Sequence, residues 1–357
     1  MSKIHVADIK GNERLAKDIF FDNNTIILAA GTILKKEYIE RLIRLNINEV
    51  TIFDDVIKNV QSTEITEDDI KIQCYDMVKK TIDRFRYYGQ KQHDSVIKAV
   101  EAVVEKVLEN EKVLYCVSGL RRKSEDIYSH SVSVCTLSVL IAMQLKLPKD
   151  KIYDIAVGSL LHDIGYCLVN VNLDNEKSYK YTNEEKKELK KHVIYGYNAV
   201  ENENWLSTYT KNIILLHHEA CNGTGYPFHL NEEHIKLGCK IVAVADLFDR
   251  LVYGSFITKM KIHEAVEYIL TLSGVTLSHE VVKIFNATIA SYPNGTIVYT
   301  SEGDIAVVIR QNYKCPTRPV IRIIEDKSGY KYTNWIEKDL TQYLTLFITD
   351  TLETIQV

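Results

Sequence analysis

Histidine and aspartate residues recur between residues 130 and 246 in a pattern that could bind metal ions. The series is His130, His162-Asp163, His192, His217-His218 and Asp246. A single helical histidine is more often a surface or hydrogen-bonded core residue, so no member identifies a site alone. Asp246 is unusual because it lies in the apolar run CKIVAVADLFD, where a buried carboxylate needs a compensating charge. Mixed imidazole and carboxylate ligands favour iron, manganese or another divalent transition ion over calcium, which prefers oxygen.

Two pairs within this series indicate more than one metal ion. The adjacent imidazoles of His217 and His218 would project to different sides of one backbone element. The carboxylate of Asp163 can bridge two ions while His162 beside it binds one of them. Both pairs are expected at the ends of helices. The segment HHEACNGTGYP, residues 217–227, continues into a glycine-rich turn that we expect to shape a pocket beside the metals.

The members of the series are spread over several predicted helices, so the folding of a helical bundle must bring their side chains together. The helix of His130 is predicted to be amphipathic and also carries Asp126, four residues earlier and therefore on the same face. Thr182 and Glu185 form a predicted capping box at the start of the helix that contains His192.

The composition is that of an ordinary globular protein with reduced thiols. The 357 residues include 46% hydrophobic and 26% charged residues, and this length suggests about two domains. A net charge of -4 gives no electrostatic case for binding nucleic acid, whose binders usually carry a basic face. No apolar run approaches the roughly 18–20 residues of a membrane span, and the charged N-terminus lacks a signal-peptide core. Seven cysteines without a C-x-x-C pair predict a cytoplasmic protein.

Three regions differ in their sequence patterns. Residues 1–62 predict a small α/β unit with a docking or regulatory role. Residues 63–292 predict helices, including amphipathic supports over 71–85 and 95–110. Residues 293–357 contain β-branched runs separated by Gly, Asp and Pro, which predict a small antiparallel sheet. The expected fold class is therefore mainly α, a helical bundle with a small α/β unit before it and a β-rich extension after it.

The histidine and aspartate series, with Gly-Tyr-Pro at 225–227, resembles the HD-GYP branch of the HD-domain metal phosphohydrolases over about residues 120–292. More weakly, the N-terminal unit and the tail resemble extensions of bacterial members. The resemblance implies an HD-type bundle with two or three divalent ions, iron or manganese. It implies hydrolysis of cyclic di-GMP to pGpG or GMP by water activated between two ions. It also implies a GGDEF-type diguanylate cyclase partner and a homodimer.

The resemblance assigns roles to individual residues. One metal ion would be held by His130, His162, Asp163 and Asp246, with Asp163 reaching the second ion. The second and any third site would use His192, His217 and His218, with Asp126 as a ligand of the third. His162 and Asp163 would be the catalytic pair. The residues expected to bind substrate are Tyr166, Gly223, Gly225, Tyr226, Pro227 and Asp249.

The departures from the family pattern concern substrate binding. Tyr166 stands where many members have lysine, and Ser255 and Thr258 stand where active members often have arginine and lysine. Asn222 replaces the usual aspartate. A phenol carries no positive charge at neutral pH, so charge-assisted contacts to phosphate are depleted. We therefore expect an intact metal centre with weakened or altered affinity for a cyclic dinucleotide.

Three functional hypotheses follow. The first is a metal-dependent cyclic di-GMP phosphodiesterase. The second is an HD-type phosphohydrolase for another nucleotide such as cyclic GMP-AMP, because the residues that differ line the pocket and do not bind the metals. The third is a catalytically weak module that binds a nucleotide or a diguanylate cyclase through the surface around Tyr226.

Overall fold

A computed structural model of the chain describes residues 2–9, most of 13–53, the pairs 65–66 and 115–116, parts of 96–105, and then 127–171, 181–254 and 257–352. Asp126, Ser255 and the helix predicted over residues 71–85 lie outside the described residues. Within 95–110, the residues that are described are helical.

The chain divides into two compact units. One is Thr63–Ser291, and the other combines Met1–Ser62 with Tyr292–Val357. The predicted division into three domains at residues 62 and 292 stays a prediction. The mainly helical fold class, with a small β-rich C-terminal extension, is confirmed.

The N-terminal segment is a small α/β structure, as its sequence predicts. Its elements are β1 (Ser2–His5), β2 (Arg14–Leu15), β3 (Ile19–Phe21), β4 (Thr25–Leu28), α1 (Lys36–Arg44) and β5 (Glu49–Phe53). The first sheet has the order β1-β5-β2, and β3 pairs with β4. Leu15, Leu34 and Leu42 are fully buried and form the centre of a small separate core.

Helices dominate the described part of the unit Thr63–Ser291. They are α2 (Ile127–Gln144), α3 (Lys149–Leu161), α4 (Asn183–Lys190), α5 (His192–Val200), α6 (Thr208–Leu216), α7 (Leu237–Tyr253), α8 (Ile262–Thr271) and α9 (His279–Thr288). A short parallel pair, β6 (Ile65–Thr66) with β7 (Tyr115–Cys116), precedes them. No helix of the described residues is long and apolar enough to cross a membrane.

Helix α2 is the central helix of this bundle. The helix predicted around His130 is present, but its predicted amphipathic character is wrong. The helix is buried on every side from Tyr128 to Ala142, because it packs against α3, α7 and α9. Two of its hydroxyls bond to main-chain carbonyls one turn earlier, which makes them compatible with burial. Thr136 Oγ1 donates to the Val132 carbonyl at 2.8 Å in this way.

The two ligand pairs lie at helix ends, as predicted. Helix α3 ends at Leu161 and is capped by His162, and α6 ends at Leu216 and is capped by His217. Helix α6 packs against α3, α5 and α7. The helix predicted around His192 is divided at Lys191 into α4 and α5, so His192 is the first residue of α5.

Glycine at position 165 lets the turn after Asp163 pack directly on α5. Residues Ile164–Leu168 form a 3-10 turn. A Cβ atom on Gly165 would lie 1.9 Å from the main-chain oxygen of His192, so a larger residue would separate the turn from the helix. This close contact brings Asp163 next to His192. The capping box of Thr182 and Glu185 at the start of α4 is confirmed, with bonds of 2.8 and 3.2 Å.

The C-terminal segment is an antiparallel sheet of five strands. They are β8 (Ile297–Thr300), β9 (Ile305–Arg310), β10 (Val320–Glu325), β11 (Lys331–Asp339) and β12 (Ile348–Leu352). Their order is β11-β10-β9-β8-β12, and Val298, Val308 and Ile321 are buried in its core. Four runs predicted strands, and β12 was missed because Thr and Asp interrupt its apolar pattern.

Candidate metal centre

Four side chains converge to form what we call the first ligand set: His130, His162, Asp163 and Asp246. The Nε2 atom of His130 lies 3.0 Å from Asp246 Oδ1 and 3.3 Å from Asp163 Oδ2. The Nε2 atom of His162 lies 3.6 and 3.4 Å from the same two oxygens. The two ring nitrogens are 3.1 Å apart. All four side chains are buried, so these donor atoms face one another with little access to water.

The other oxygen of Asp163 belongs to what we call the second ligand set: Asp163, His192, His217 and His218. Its Oδ1 atom lies 3.3 Å from His192 Nε2 and 3.6 Å from His217 Nε2. The ring of His218 lies beside that of His217, with centroids 4.2 Å apart. One carboxylate therefore faces two groups of imidazoles, one group with each oxygen.

Hydrogen bonds at the far side of three of the five histidine rings aim their Nε2 atoms into the centre. Three rings bond through Nδ1 to the main-chain carbonyl three residues earlier: His162 to Ser159 at 2.7 Å, His192 to Leu189 at 2.7 Å and His217 to Ile214 at 3.0 Å. A carbonyl only accepts hydrogen bonds, so Nδ1 carries the proton and Nε2 keeps its lone pair. Such outer hydrogen bonds are typical of metal-binding histidines.

The fourth ring is held by a carboxylate. His130 Nδ1 is 2.5 Å from Asp249 Oδ2, and both groups are buried. Asp249 follows Asp246 by one turn on α7, so both project from the same face. Asp249 was predicted to bind substrate, and that role stays a prediction. Its observed contact is with a predicted metal ligand.

The pKa shifts of His217 and His218 in the second ligand set are opposite to that of His130 in the first. Burial lowers the pKa of His217 to about 4, although Asp163 opposes the shift. Burial and the neighbouring His217 lower the pKa of His218 well below its usual value. For His130, burial also acts to lower the pKa, but the carboxylates of Asp249, Asp163 and Asp246 outweigh it and raise the pKa to about 10.

The donor atoms fit divalent transition ions. Nitrogen and oxygen ligands lie about 2.0–2.2 Å from such an ion, which separates neighbouring ligand atoms by about 3.0–3.5 Å. The first ligand set has separations of 3.0 to 3.6 Å. In the second, Asp163 Oδ1 and His218 Nε2 are buried and have no hydrogen-bond partner among the described residues. Buried polar atoms without a partner are costly, and a metal ion would satisfy both.

The loop after the adjacent histidines is built around two glycines and a buried glutamate. Gly223 has a φ of 76°, which favours glycine. A Cβ on Gly225 would lie 2.2 Å from the amide nitrogen of Ala220. The carboxylate of Glu219 accepts hydrogen bonds from the main-chain N–H groups of Phe228 at 2.6 Å and Leu230 at 2.9 Å. Glu219 was missed in the sequence, where its place directly after His218 was the available signal.

The loop places an aromatic ring over the second ligand set. The rings of Tyr226 and His218 are stacked, with centroids 4.7 Å apart. Pro227 follows in a cis peptide bond. The ammonium of Lys190 lies 5.1 Å from the centroid of the Tyr226 ring. The loop therefore provides a partly exposed aromatic face next to the metal ligands.

Comparison with known proteins identifies two domains in the chain. Residues 115–277 match the model of the HD domain, and residues 297–357 match a KOW domain associated with HD domains. The cyclic di-GMP phosphodiesterase PA4108 of Pseudomonas aeruginosa is 29% identical over 225 residues, which are 63% of this chain and 54% of that protein. Bd1817, an HDG"Y"P protein of Bdellovibrio bacteriovorus, has a similar fold, with a TM-score of 0.52 and 22% identity. That match covers 80% of this chain and 97% of the other.

Residues 115–277 are an HD domain, and the chain resembles proteins of the HD-GYP type. A cyclic di-GMP phosphodiesterase of Thermotoga maritima is 32% identical over 45% of this chain and 44% of that protein. The 3'3'-cGAMP-specific phosphodiesterase 3 of Vibrio cholerae is 33% identical over 36% of this chain and 28% of that protein. The chain thus spans about half the length, or less, of the curated relatives it matches.

The departures from the HD-GYP pattern have different places in the structure. The ring of Tyr166 is buried and stacked on His192, with centroids 4.0 Å apart. Asn222 is exposed and bonds to Thr224 within the loop. Thr258 is exposed, while Ser255 and the predicted third-metal ligand Asp126 lie outside the described residues.

A buried arginine lies at the candidate metal centre and was missed in the sequence. Arg250 Nε is 2.6 Å from Asp246 Oδ1, and its Nη2 atom is 3.1 Å from Asp163 Oδ2. Because it follows Asp246 by four residues in α7, the spacing typical of helical ion pairs was the available signal. The centre therefore contains a cation belonging to the protein itself.

Proposed function

We propose that this protein is a metal-dependent phosphodiesterase that hydrolyses cyclic di-GMP to pGpG or GMP. One observation carries the proposal. The carboxylate of Asp163 faces His130 and His162 with one oxygen and His192 and His217 with the other. This is the arrangement that a two-metal hydrolase requires, because one residue can bind both ions and fix the distance between them.

Two ions are proposed, one in each ligand set, and iron or manganese suits their mixed imidazole and carboxylate donors. Bound there, they would supply Lewis-acid activation of water and neutralise the negative charge of the phosphodiester. A third ion held with the help of Asp126 stays a prediction, because that residue lies outside the described residues.

The residues of the chain prepare the site for an anionic nucleotide. The Nδ1 hydrogen bonds of three histidines aim their Nε2 atoms into the centre. The buried surroundings of His162 and Asp163 strengthen electrostatic contacts with a phosphate. The exposed face of Tyr226 can stack on a guanine base, and such stacking tolerates different bases. Gly223, Gly225 and Pro227 shape this loop and are proposed to bind substrate through its main chain.

The predicted partners follow from the same proposal. Relatives named as cyclic di-GMP phosphodiesterases support a cyclic dinucleotide as the substrate. A GGDEF-type diguanylate cyclase partner, a homodimer and a cytoplasmic location stay predictions.

The direct test is turnover by protein purified without oxygen. The wild-type chain, loaded with iron(II) or manganese(II), is incubated with cyclic di-GMP, and the products are separated by chromatography. We expect pGpG or GMP from wild type and none from Asp163→Asn. Asp150→Asn is the matched control, because Asp150 is an exposed aspartate of α3. Absence of turnover in fully metal-loaded wild type would refute the proposal, and tight nucleotide binding without turnover would favour a binding module.

Cyclic GMP-AMP is a second candidate substrate. The ring of Tyr166 lies against His192 and brings no positive charge to a position where a cation would favour phosphate. Two relatives in Vibrio cholerae are named as 3'3'-cGAMP-specific phosphodiesterases. A panel of cyclic dinucleotides assayed at equal concentration separates the two proposals, because preference for cyclic di-GMP contradicts this one.

A further inference from the structure

The guanidinium of Arg250 contacts the carboxylate oxygens of the first ligand set. It donates to Asp246 Oδ1 at 2.6 Å and to Asp163 Oδ2 at 3.1 Å. Those two oxygens are the ones that face His130 and His162. The guanidinium is therefore bonded to both carboxylate donors of the first ligand set.

The second ligand set has a different environment. Asp163 Oδ1 accepts no hydrogen bond from any described residue, although it lies 3.3 Å from His192 Nε2. His218 Nε2 is also without a hydrogen-bond partner in the described part of the chain. These donor atoms thus remain available to a metal ion, whereas both oxygens of the first ligand set already have a charged donor.

A buried positive charge beside a metal site has two effects on binding. It neutralises carboxylate charge that would otherwise attract the ion, and it repels the ion across a region from which water is largely excluded. Arg250 is buried and stays protonated at every pH that a protein withstands. A divalent ion in the first ligand set must therefore replace or weaken the Arg250 contacts.

We propose that Arg250 is an internal cation that competes with metal for Asp163 and Asp246, so that the second ligand set binds its ion more tightly than the first. This inference rests on the proposed metal centre. It makes the occupancy of the first ligand set depend on metal supply. At low metal concentration the chain holds closer to one ion than to two, and the second ion binds only when its concentration is high enough to displace the guanidinium.

The test measures metal binding without any enzymatic assay. Wild type, Arg250→Gln and Arg250→Lys are freed of metal with a chelator and titrated with manganese(II), with free ion followed by electron paramagnetic resonance. Glutamine keeps hydrogen-bonding capacity without charge, and lysine keeps the charge without the planar pair of donors. Arg322→Gln is the matched control, because Arg322 is a buried arginine paired with Glu337 in the C-terminal sheet.

The expected result is a change in affinity for the more weakly bound manganese ion alone. Arg250→Gln should bind the second manganese at least about tenfold more tightly than wild type, and Arg322→Gln should match wild type. Arg250→Lys should lie between them. Thermal unfolding of the metal-free proteins gives an independent readout, in which Arg250→Gln should melt several degrees below wild type because two buried carboxylates lose their partner.

Other outcomes overturn the inference. Equal or weaker manganese binding by Arg250→Gln would mean that the guanidinium supports the carboxylates from outside the metal site. Two equally tight ions in wild type would also contradict it. Turnover by metal-loaded wild type tests the proposed function separately, so that function can hold while this inference fails. If no variant binds manganese, this inference is wrong, and turnover with iron(II) still decides the proposed function.

Discussion

Asp163 is the residue on which the proposed metal centre depends, because its two oxygens belong to different ligand sets. The histidines around it are held from behind by main-chain carbonyls, and His130 is held by Asp249. Hydrogen bonds of this kind orient metal-binding side chains and tune the affinity of a metal site.

Replacement of Asp249 by asparagine should weaken metal binding without removing a ligand. The neutral amide holds the His130 ring less firmly and makes its imidazole a weaker donor, which typically costs about 10- to 100-fold in metal affinity or activity. Manganese titration measures the loss. Asp150→Asn, at the exposed start of α3, should bind manganese as wild type does. Unchanged affinity in Asp249→Asn would exclude this positioning role.

Metal-free protein should be most stable near pH 6.5. The pKa of His217 is about 4 when folded, so between pH 6.5 and 4 the unfolded chain binds a proton that the folded chain does not, and stability falls with falling pH. The pKa of His130 is about 10 when folded, so its contribution is complete below pH 6.5 and is lost as the pH rises towards 10.

Urea unfolding of chelator-treated protein across this range measures both limbs. His217→Gln should make the acid limb shallower, since one buried neutral imidazole is gone. The alkaline limb should remain in that variant, because it depends on His130. An acid limb of wild-type steepness in His217→Gln would contradict the assignment.

At the scale of elements, helix ends and the turns after them form the centre. Helices α3 and α6 end at the two ligand pairs, and the turn after α3 packs on α5 through Gly165. The start and the end of the loop after α6 are joined by the buried carboxylate of Glu219. Loops held in this way can position substrate groups while the helices position the metals.

Glu219→Gln should loosen the loop and leave the metals in place. An amide has one accepting oxygen, so either Phe228 or Leu230 would lose its acceptor, at a cost of about 1–3 kcal/mol. We expect a lower free energy of unfolding, weaker binding of cyclic dinucleotide and wild-type manganese affinity. Calorimetric titration with nucleotide measures the effect. Glu233→Gln, an exposed glutamate of the same loop region, is the control and should bind nucleotide normally.

At the scale of the whole molecule, the candidate metal ligands among the described residues lie in the unit Thr63–Ser291. The C-terminal sheet and the N-terminal segment have hydrophobic cores of their own. Binding of a ligand to the folded state stabilises the unit that holds it. The two units should therefore respond differently to metal.

Scanning calorimetry of the full chain should resolve two unfolding transitions. Manganese should raise the midpoint temperature of one of them. At about 100 times the dissociation constant the stabilisation is about 2.7 kcal/mol. Arg322→Gln should lower the midpoint temperature of the other transition, because it breaks the ion pair with Glu337 in the C-terminal sheet. A manganese-induced shift of both transitions together would mean that the units unfold as one.

The sequence by itself predicted most of the elements, the resemblance to a family and the candidate donor residues. Periodic apolar residues predicted the helices, β-branched runs predicted most of the sheet, and the ordered histidines and aspartates predicted metal binding, because these features depend on residue types and local spacing. The buried character of α2 was not predictable, since burial on every side depends on which helices surround it.

Only the tertiary structure decided which atoms meet. It brings each oxygen of Asp163 to a different pair of imidazoles. It also pairs His130 with Asp249, and Arg250 with two carboxylates on different elements. Asp163 and Arg250 are 87 residues apart, and no local pattern encodes a contact over that distance. The packing of helices determines it, because helix packing fixes the distances among side chains that local sequence leaves open.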